Sequence, residues 1–380
     1  MKEDIRKAER RYLRQRRLQK IREARRLARL NVFYNPNKKL GHFRINREFR
    51  VTEPFRGKKI ISFPSEFNFD TNADESILAL NNLHNEILYG DFSEIFLDHT
   101  SLNEISPEAA VVLLAELKRC TAYASRRRRI RGNYPKSVAA AQMLTDIGFY
   151  RALNVAAPSQ VLRERRRMYF KVISGNQTDG RIINELLSTF EQVITFDVIA
   201  RKRLYGALTE CMDNVRAHAY KADKTRPDLL GEWWMAGFCD LVARQVAFIF
   251  FDQGLGIPTT LKSKLEHRVI SLLSWGDSDL IQHAVEKGMT KEASERHGTG
   301  LPSLKGFINE LSAGGFLRVM SNYGDYTYYK NEKAAVRKAL IPLEGSLVTW
   351  SIQQEEQALN RVDDQLAYID LTAKQQRLPL

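Results

Sequence analysis

Three short stretches of this 380-residue chain combine residue types that could do chemistry. In "ECMDNVRAHAY", Glu210, Asn214 and His218 recur every four residues and so share one face of a helix. A carboxylate one turn before an amide suits a site in which Asn214 holds Mg2+ through its oxygen, a hard ligand for a hard cation, while Glu210 orients or deprotonates a nucleophile. By itself, E-x-x-x-N is common on surface helices. In "FIFFDQGLGIP" an apolar run ends in Asp252, followed by Gly254, Gly256 and Ile257; a hairpin or an ordinary loop also uses D-x-G-x-G. In "RHGTGLPSLKGFI", Gly298, Thr299 and Gly300 precede Leu301, Pro302 and Lys305. Those glycines free backbone N–H groups just ahead of a helix with Pro302 in its first turn, so amides and the positive helix end can face a phosphate chain. A plain turn is the other use of such a pair. There is no G-x-x-x-x-G-K-[ST], which excludes a P-loop.

Elements must position these residues. The spacing predicts a helix from about Ala200 to Tyr220, a strand over Val246 to Phe251, a helix opening near Gly300, and a last strand, "GSLVTWSI", from Gly345 to Ile352. Part of the insertion Lys221 to Cys239, with Trp233 and Trp234, should be another strand. Upstream, strand and helix signals alternate: Ile60 to Pro64, Glu75 to Tyr89, Ile95 to His99, Ser106 to Ser125, Arg129 to Tyr134, Lys136 to Leu153 and Met168 to Ile173. That alternation reads as a βαβ-rich domain. The expected division is a basic arm and connector over residues 1–58, an α/β domain over 59–176, a second α/β domain over 177–353, and a helical tail over 354–380.

Taken together, the three motifs resemble the GHKL, or Bergerat-fold, ATPase superfamily, which includes gyrase, heat-shock chaperones, histidine kinases and mismatch-repair ATPases. The likeness covers about Ala200 to Ile352. It implies an α/β sandwich, a mixed sheet with helices on one face, binding ATP with Mg2+ on Asn214 and using Glu210 as base toward water or a substrate hydroxyl. In that setting Asp252 would accept a hydrogen bond from the exocyclic amine of adenine, which guanine cannot donate in the same place. Gly254 and Gly256 would remove Cβ atoms where a flat base lies against backbone. Gly298, Thr299, Gly300, Leu301 and Lys305 would lie along the phosphates, Thr349 matches a position that contacts adenine through water in several members, and Trp275 to His297 would be the lid. Asn214-Val-Arg-Ala-His218 is similar to anti-sigma-factor serine kinases and histidine kinases. No dimerisation helix pair with a His-Glu or His-Asp phospho-acceptor precedes it, so a conventional sensor kinase is not expected.

The region from "IFLDHTSLNEISPEAAVVLLAELKRC" to "GNYPKSVAAAQMLTDIGFYRAL" resembles STAS domains, which place a phosphorylatable serine where Ser106 stands. Ser106-Pro107-Glu108 is also a good helix N-cap, and the usual Asp-Ser-Ser-Gly context is absent. The net charge of +14 is concentrated in residues 1–31, where thirteen Lys and Arg face four acids. This arm, with one weakly apolar side, reads as an amphipathic helix for nucleic acid phosphates, an anionic membrane surface, or a protein partner. Three cysteines without CxxC spacing suggest neither a disulfide framework nor a zinc site, and no apolar run is long enough for a membrane span. A cytoplasmic protein acting as an oligomer or complex subunit is expected. Three functions fit: a Mg-dependent ATPase or kinase-like regulator whose nucleotide state controls a partner, an ATP-gated nucleic-acid clamp, or a non-catalytic nucleotide-binding scaffold.

Overall fold

The computed structural model describes residues 57–90, 92–123, 129–159, 167–191, 196–215, 219, 231–240, 245–265, 275–287, 300–310 and 314–353. The basic arm, His218, Gly298, Thr299 and the tail beyond Gln353 lie outside them, as does all of the expected lid beyond Lys287.

The chain first lays down β1 (Lys58–Ser62), a short β2 (Glu66–Phe67), α1 (Ala73–Tyr89), β3 (Glu94–Asp98), a short β4 (Glu104–Ile105), α2 (Pro107–Tyr123) and β5 (Arg129–Gly132). β1, β3 and β5 form a three-stranded parallel sheet in that order. Parallel neighbours need a crossover, and α1 and α2 supply it. Ser106 is a working cap: its Oγ accepts from Ala109 N at 3.2 Å, and Pro107 opens the helix. The helix expected over Lys136 to Leu153 is two, α3 (Val138–Asp146) and α4 (Phe149–Ala152), because the chain turns at Gly148.

Then follow β6 (Arg167–Gly175), α5 (Gly180–Phe190), α6 (Val198–Asn214), β7 (Trp233–Asp240), β8 (Gln245–Asp252), α7 (Ile257–Leu265), α8 (Asp277–Lys287), α9 (Gly300–Glu310), β9 (Gly314–Tyr329) and β10 (Ala335–Gln353). The sheet order is β6-β7-β8-β10-β9, and every pairing is antiparallel. The expected mixed sheet is therefore corrected: apolar runs such as Val246 to Phe251 fit parallel and doubly covered antiparallel strands alike. The strand around Met168 to Ile173, expected at the end of the N-terminal α/β region, instead pairs with β7 as the edge of the second sheet.

Both faces of this sheet are buried, by different material. Phe248, Phe250, Val348 and Trp350 share one core with Leu186, Leu204, Met212, Leu280 and Leu304 of the helices α5, α6, α8 and α9. Ile249, Phe251, Met320 and Leu347 share the other with Leu83, Val111 and Leu114 of the N-terminal unit. In β6 a register shift between Phe170 and Ile173 breaks the alternation, so that Phe170 faces the helices and Val172, two residues on, faces the N-terminal unit. No helix among the described residues is long and apolar enough to cross a membrane.

Candidate nucleotide site

Asp252 closes β8 and is almost fully buried, at 7 % exposure. It continues the helix-facing series of Phe248 and Phe250, and its strand partners are Trp233 on one side and Ser346 on the other. Its Oδ1 accepts from Gly254 N at 2.8 Å, which fixes the turn that follows. Burial pushes the carboxyl up to about 7, against the opposing pull of the Gly254 N–H and the Ser346 side chain. Ser321, across from Ser346 on β9, extends this polar row: its Oγ lies 3.2 Å from Ser346 Oγ, donates to Gly345 O at 2.7 Å and accepts from Ile257 N at 3.0 Å. A buried acid at the end of an apolar strand, with serines beside it, can read a single hydrogen-bond donor and little else.

The Gly-rich turn is pressed against Ala219, beyond the end of the helix that carries the carboxylate and amide. Leu255 N donates to Ala219 O at 2.9 Å, five residues past Asn214. A Cβ on Gly254 would sit 2.3 Å from that same carbonyl oxygen, and one on Gly256 would meet Ser321 Oγ at 2.7 Å. Gly256 also has φ of +86°, a conformation that favours glycine. The glycines thus allow close approach of chain to chain at this end of the sheet. α6 starts on an Asp197 cap, with Oδ1 accepting from Ala200 N at 2.7 Å, and runs through half-buried Glu210 and Asn214 towards the turn. Asp213 between them accepts from Thr178 Oγ1.

α9 packs along α6. Arg203, near the start of α6, pairs with Glu310 at the end of α9, so the Gly300 end of α9 is directed towards the Asn214 end of α6. Leu301 is a core residue at 6 % exposure, packed in the same cluster as Met212 and Val215. Lys305 lies with Nζ 4.7 Å from the centroid of the Tyr328 ring, a cation–π contact with β9.

The structure thus sets Gly254 and Leu255 against Ala219, five residues beyond the last residue of α6, and leads Gly300 and Leu301 back along that helix. Thr349 is not part of this group. It pairs with Ile249, whose side chain belongs to the core on the other face, and lines a cleft with Phe69, Glu108 and Arg318. Thr349 stands three residues along β10 from Ser346, an odd step, and so faces away from Asp252. Ser321 and Ser346 were not singled out from sequence, although a lone serine inside a buried apolar strand is a signal that could have found them.

A second polar cluster joins the N-terminal unit to the sheet. The ligand atoms of His84, Glu116 and Cys120 lie within 4.8 Å of one another, a metal-like grouping. Arg119, however, pairs with Glu116, and its Nη2 lies 2.8 Å from His84 Nδ1, which is itself 2.8 Å from Glu116 Oε1. A divalent cation there would face a buried guanidinium, so the cluster is an ionic network instead. Burial alone would raise the Glu116 carboxyl, but Arg119 and His84 hold it at about 2. Cys120, Cys211 and Cys239 are buried thiols, Cys120 donating to Glu116 Oε1 at 3.2 Å, and burial pushes the thiols of Cys211 and Cys239 upward, away from nucleophilic use. No protein-family model matches the chain, and no curated protein matches it in sequence.

Proposed function

We propose that the chain is an ATP-binding protein of the GHKL type, a Mg-dependent ATPase or kinase-like regulator whose nucleotide state controls a partner protein. The observation that supports this reading is the contact between Ala219, five residues past Asn214, and the turn that follows Asp252. Two motifs separated by some forty residues of sequence meet there, as one site needs. Asp252 would accept from the adenine amine, and Asn214 would hold Mg2+, which neutralises charge on the phosphates. Glu210 would orient water or a substrate hydroxyl and take its proton. The α9 N-terminus, opened by Gly300, would present backbone N–H groups to the phosphate chain. The N-terminal α/β unit, with its STAS-like element order, would serve as a built-in interaction module, and the basic arm 1–31 would add an anionic or protein contact.

Calorimetry with Mg2+ and either ATP or GTP tests the reading. The chain should bind ATP and discriminate against GTP by at least tenfold, since a missing donor leaves a buried acceptor unpaired. Asp252→Ala should abolish that discrimination, whereas Thr349→Val, on the other face of the sheet, should leave it intact. Equal affinity for the two nucleotides would overturn the adenine assignment.

A further inference from the structure

The ionic network described above is attached to both chain segments that frame Asp252. On one side, Gln253 directly follows Asp252, and its Nε2 donates to Glu116 Oε2 of α2 at 3.3 Å. On the other, Arg119 reaches Glu344 Oε2 at 3.4 Å, and Glu344 precedes Gly345. Gly345 lies against the backbone of Asp252 and Gln253: a Cβ on it would come within 1.8 Å of Asp252 O and 2.9 Å of Gln253 Cα. The alternation of a strand then divides the work between neighbours. The Asp252 carboxylate faces the helices, where Gly254 and Ser346 hold it, while the Gln253 side chain faces the N-terminal unit.

Little of this network touches water. Arg119, Glu116 and His84 side chains are 2 %, 8 % and 7 % exposed, and Gln253 as a whole is 2 % exposed. In so dry a setting hydrogen bonds to charged groups are strong and directional, and a buried ion network of this kind contributes defined geometry more than stability. The geometry it defines here is that of residues 252, 253, 344 and 345, the backbone beneath the base-reading end of the site.

We propose that Gln253, Glu116 and Arg119 form a positioning set through which the N-terminal unit fixes Asp252 in the orientation that reads the purine. This rests on the nucleotide-binding reading above and adds to it a route of control: whatever moves α2 moves the base-reading end of the site. None of the three touches the nucleotide; each acts through the chain that carries Asp252.

The full-length chain with Mg2+ and ATP or GTP provides the test, by calorimetry on wild type, Gln253→Met, Glu116→Gln and the double variant. Gln253→Met keeps side-chain length and leaves the His84, Glu116 and Arg119 network in place, so it decides the matter even if Glu116→Gln fails to fold. The expected result is a loss of roughly tenfold in ATP affinity with a reduced preference over GTP, matching loss of one hydrogen bond to a charged group. The double variant should be no weaker than the worse single one, because both break one linkage. A purely structural role would lower the unfolding midpoint and leave the ATP to GTP ratio where it was. If wild type binds ATP and Gln253→Met keeps both affinity and preference, the positioning role is wrong while the nucleotide site stands. If wild type binds no ATP, the nucleotide reading itself fails, and this inference with it.

Discussion

Asp252 carries the account at the scale of a single residue, because its surroundings make opposite demands on stability and recognition. Its carboxyl sits at about 7 in the fold against an ordinary value of 3.8, the larger cause being burial. A raised acid favours the protonated form in the folded state, so the fold loses stability as pH rises from about 4 through 7. Asp252→Asn removes that penalty, and urea unfolding at pH 8 should find the variant more stable than wild type, by up to about 4 kcal/mol, with the gap closing near pH 4. Adenine recognition runs the other way. In the proposed nucleotide site its amine would donate to the carboxylate, so ATP affinity of wild type should rise about tenfold per unit as pH increases towards 7 and level off above it, while Asp252→Asn would set an amide donor against the amine. A variant that gains stability at pH 8 and loses ATP binding would separate the two demands; one that loses stability there would remove the basis for the shifted carboxyl. Asp252, Gly254 and Gly256 were legible in the sequence because an apolar run ending in an acid and spaced glycines leaves a one-dimensional trace. Thr349 misled because facing depends on register, and register is set by cross-strand pairing.

At the scale of elements, the site depends on how tightly the turn after β8 sits on Ala219, five residues past the end of α6. Gly254→Ala would set a methyl 2.3 Å from the Ala219 carbonyl oxygen, a backbone atom that cannot rotate aside. Thermal unfolding should show a loss of about 1–3 kcal/mol, and nucleotide affinity should fall further than stability alone explains, since the turn is displaced from the helix bearing Asn214. An unchanged unfolding midpoint would mean that the close contact is not maintained in solution. The helix and strand that carry the motifs were foreseen: the motif helix starts two residues earlier than its pattern suggested, on the Asp197 cap, and the strand over Val246 to Phe251 extends by one residue at each end. α5, α7 and β9 were not, and α8 stands where the lid was expected, because Leu280, Ile281, Ala284 and Val285 bury one face of it in the core. Strand direction was not foreseen. Residues buried on both faces carry no alternation from which to read neighbours, and a bulge such as that between Phe170 and Ile173 leaves no mark in composition.

At the scale of the whole molecule, one antiparallel sheet separates two cores and belongs to both. Arg318 illustrates the joint. It bonds Asp325 through Nε and Nη2 at 2.9 and 2.8 Å, donates to Phe69 O at 2.8 Å, and pairs with Asp70 of the N-terminal unit. With Asn81 Nδ2 donating to Pro342 O at 3.2 Å and the Glu116 network beside Asp252, the N-terminal unit grips the sheet at several places. This joint was invisible in sequence, which shows where apolar faces are but not which of two candidates covers them. It gives the proposed interaction module a direct mechanical connection to the proposed nucleotide site.

The central claim is that Asp252 reads the purine amine while Asn214 holds the metal on the phosphates of the same nucleotide. A crystal structure of the chain with Mg2+ and a non-hydrolysable ATP analogue tests it most directly. The adenine amine should lie within about 3 Å of an Asp252 carboxylate oxygen and the Asn214 oxygen about 2.1 Å from Mg2+. A nucleotide bound with its base away from Asp252, or with its metal held by other side chains, would contradict it.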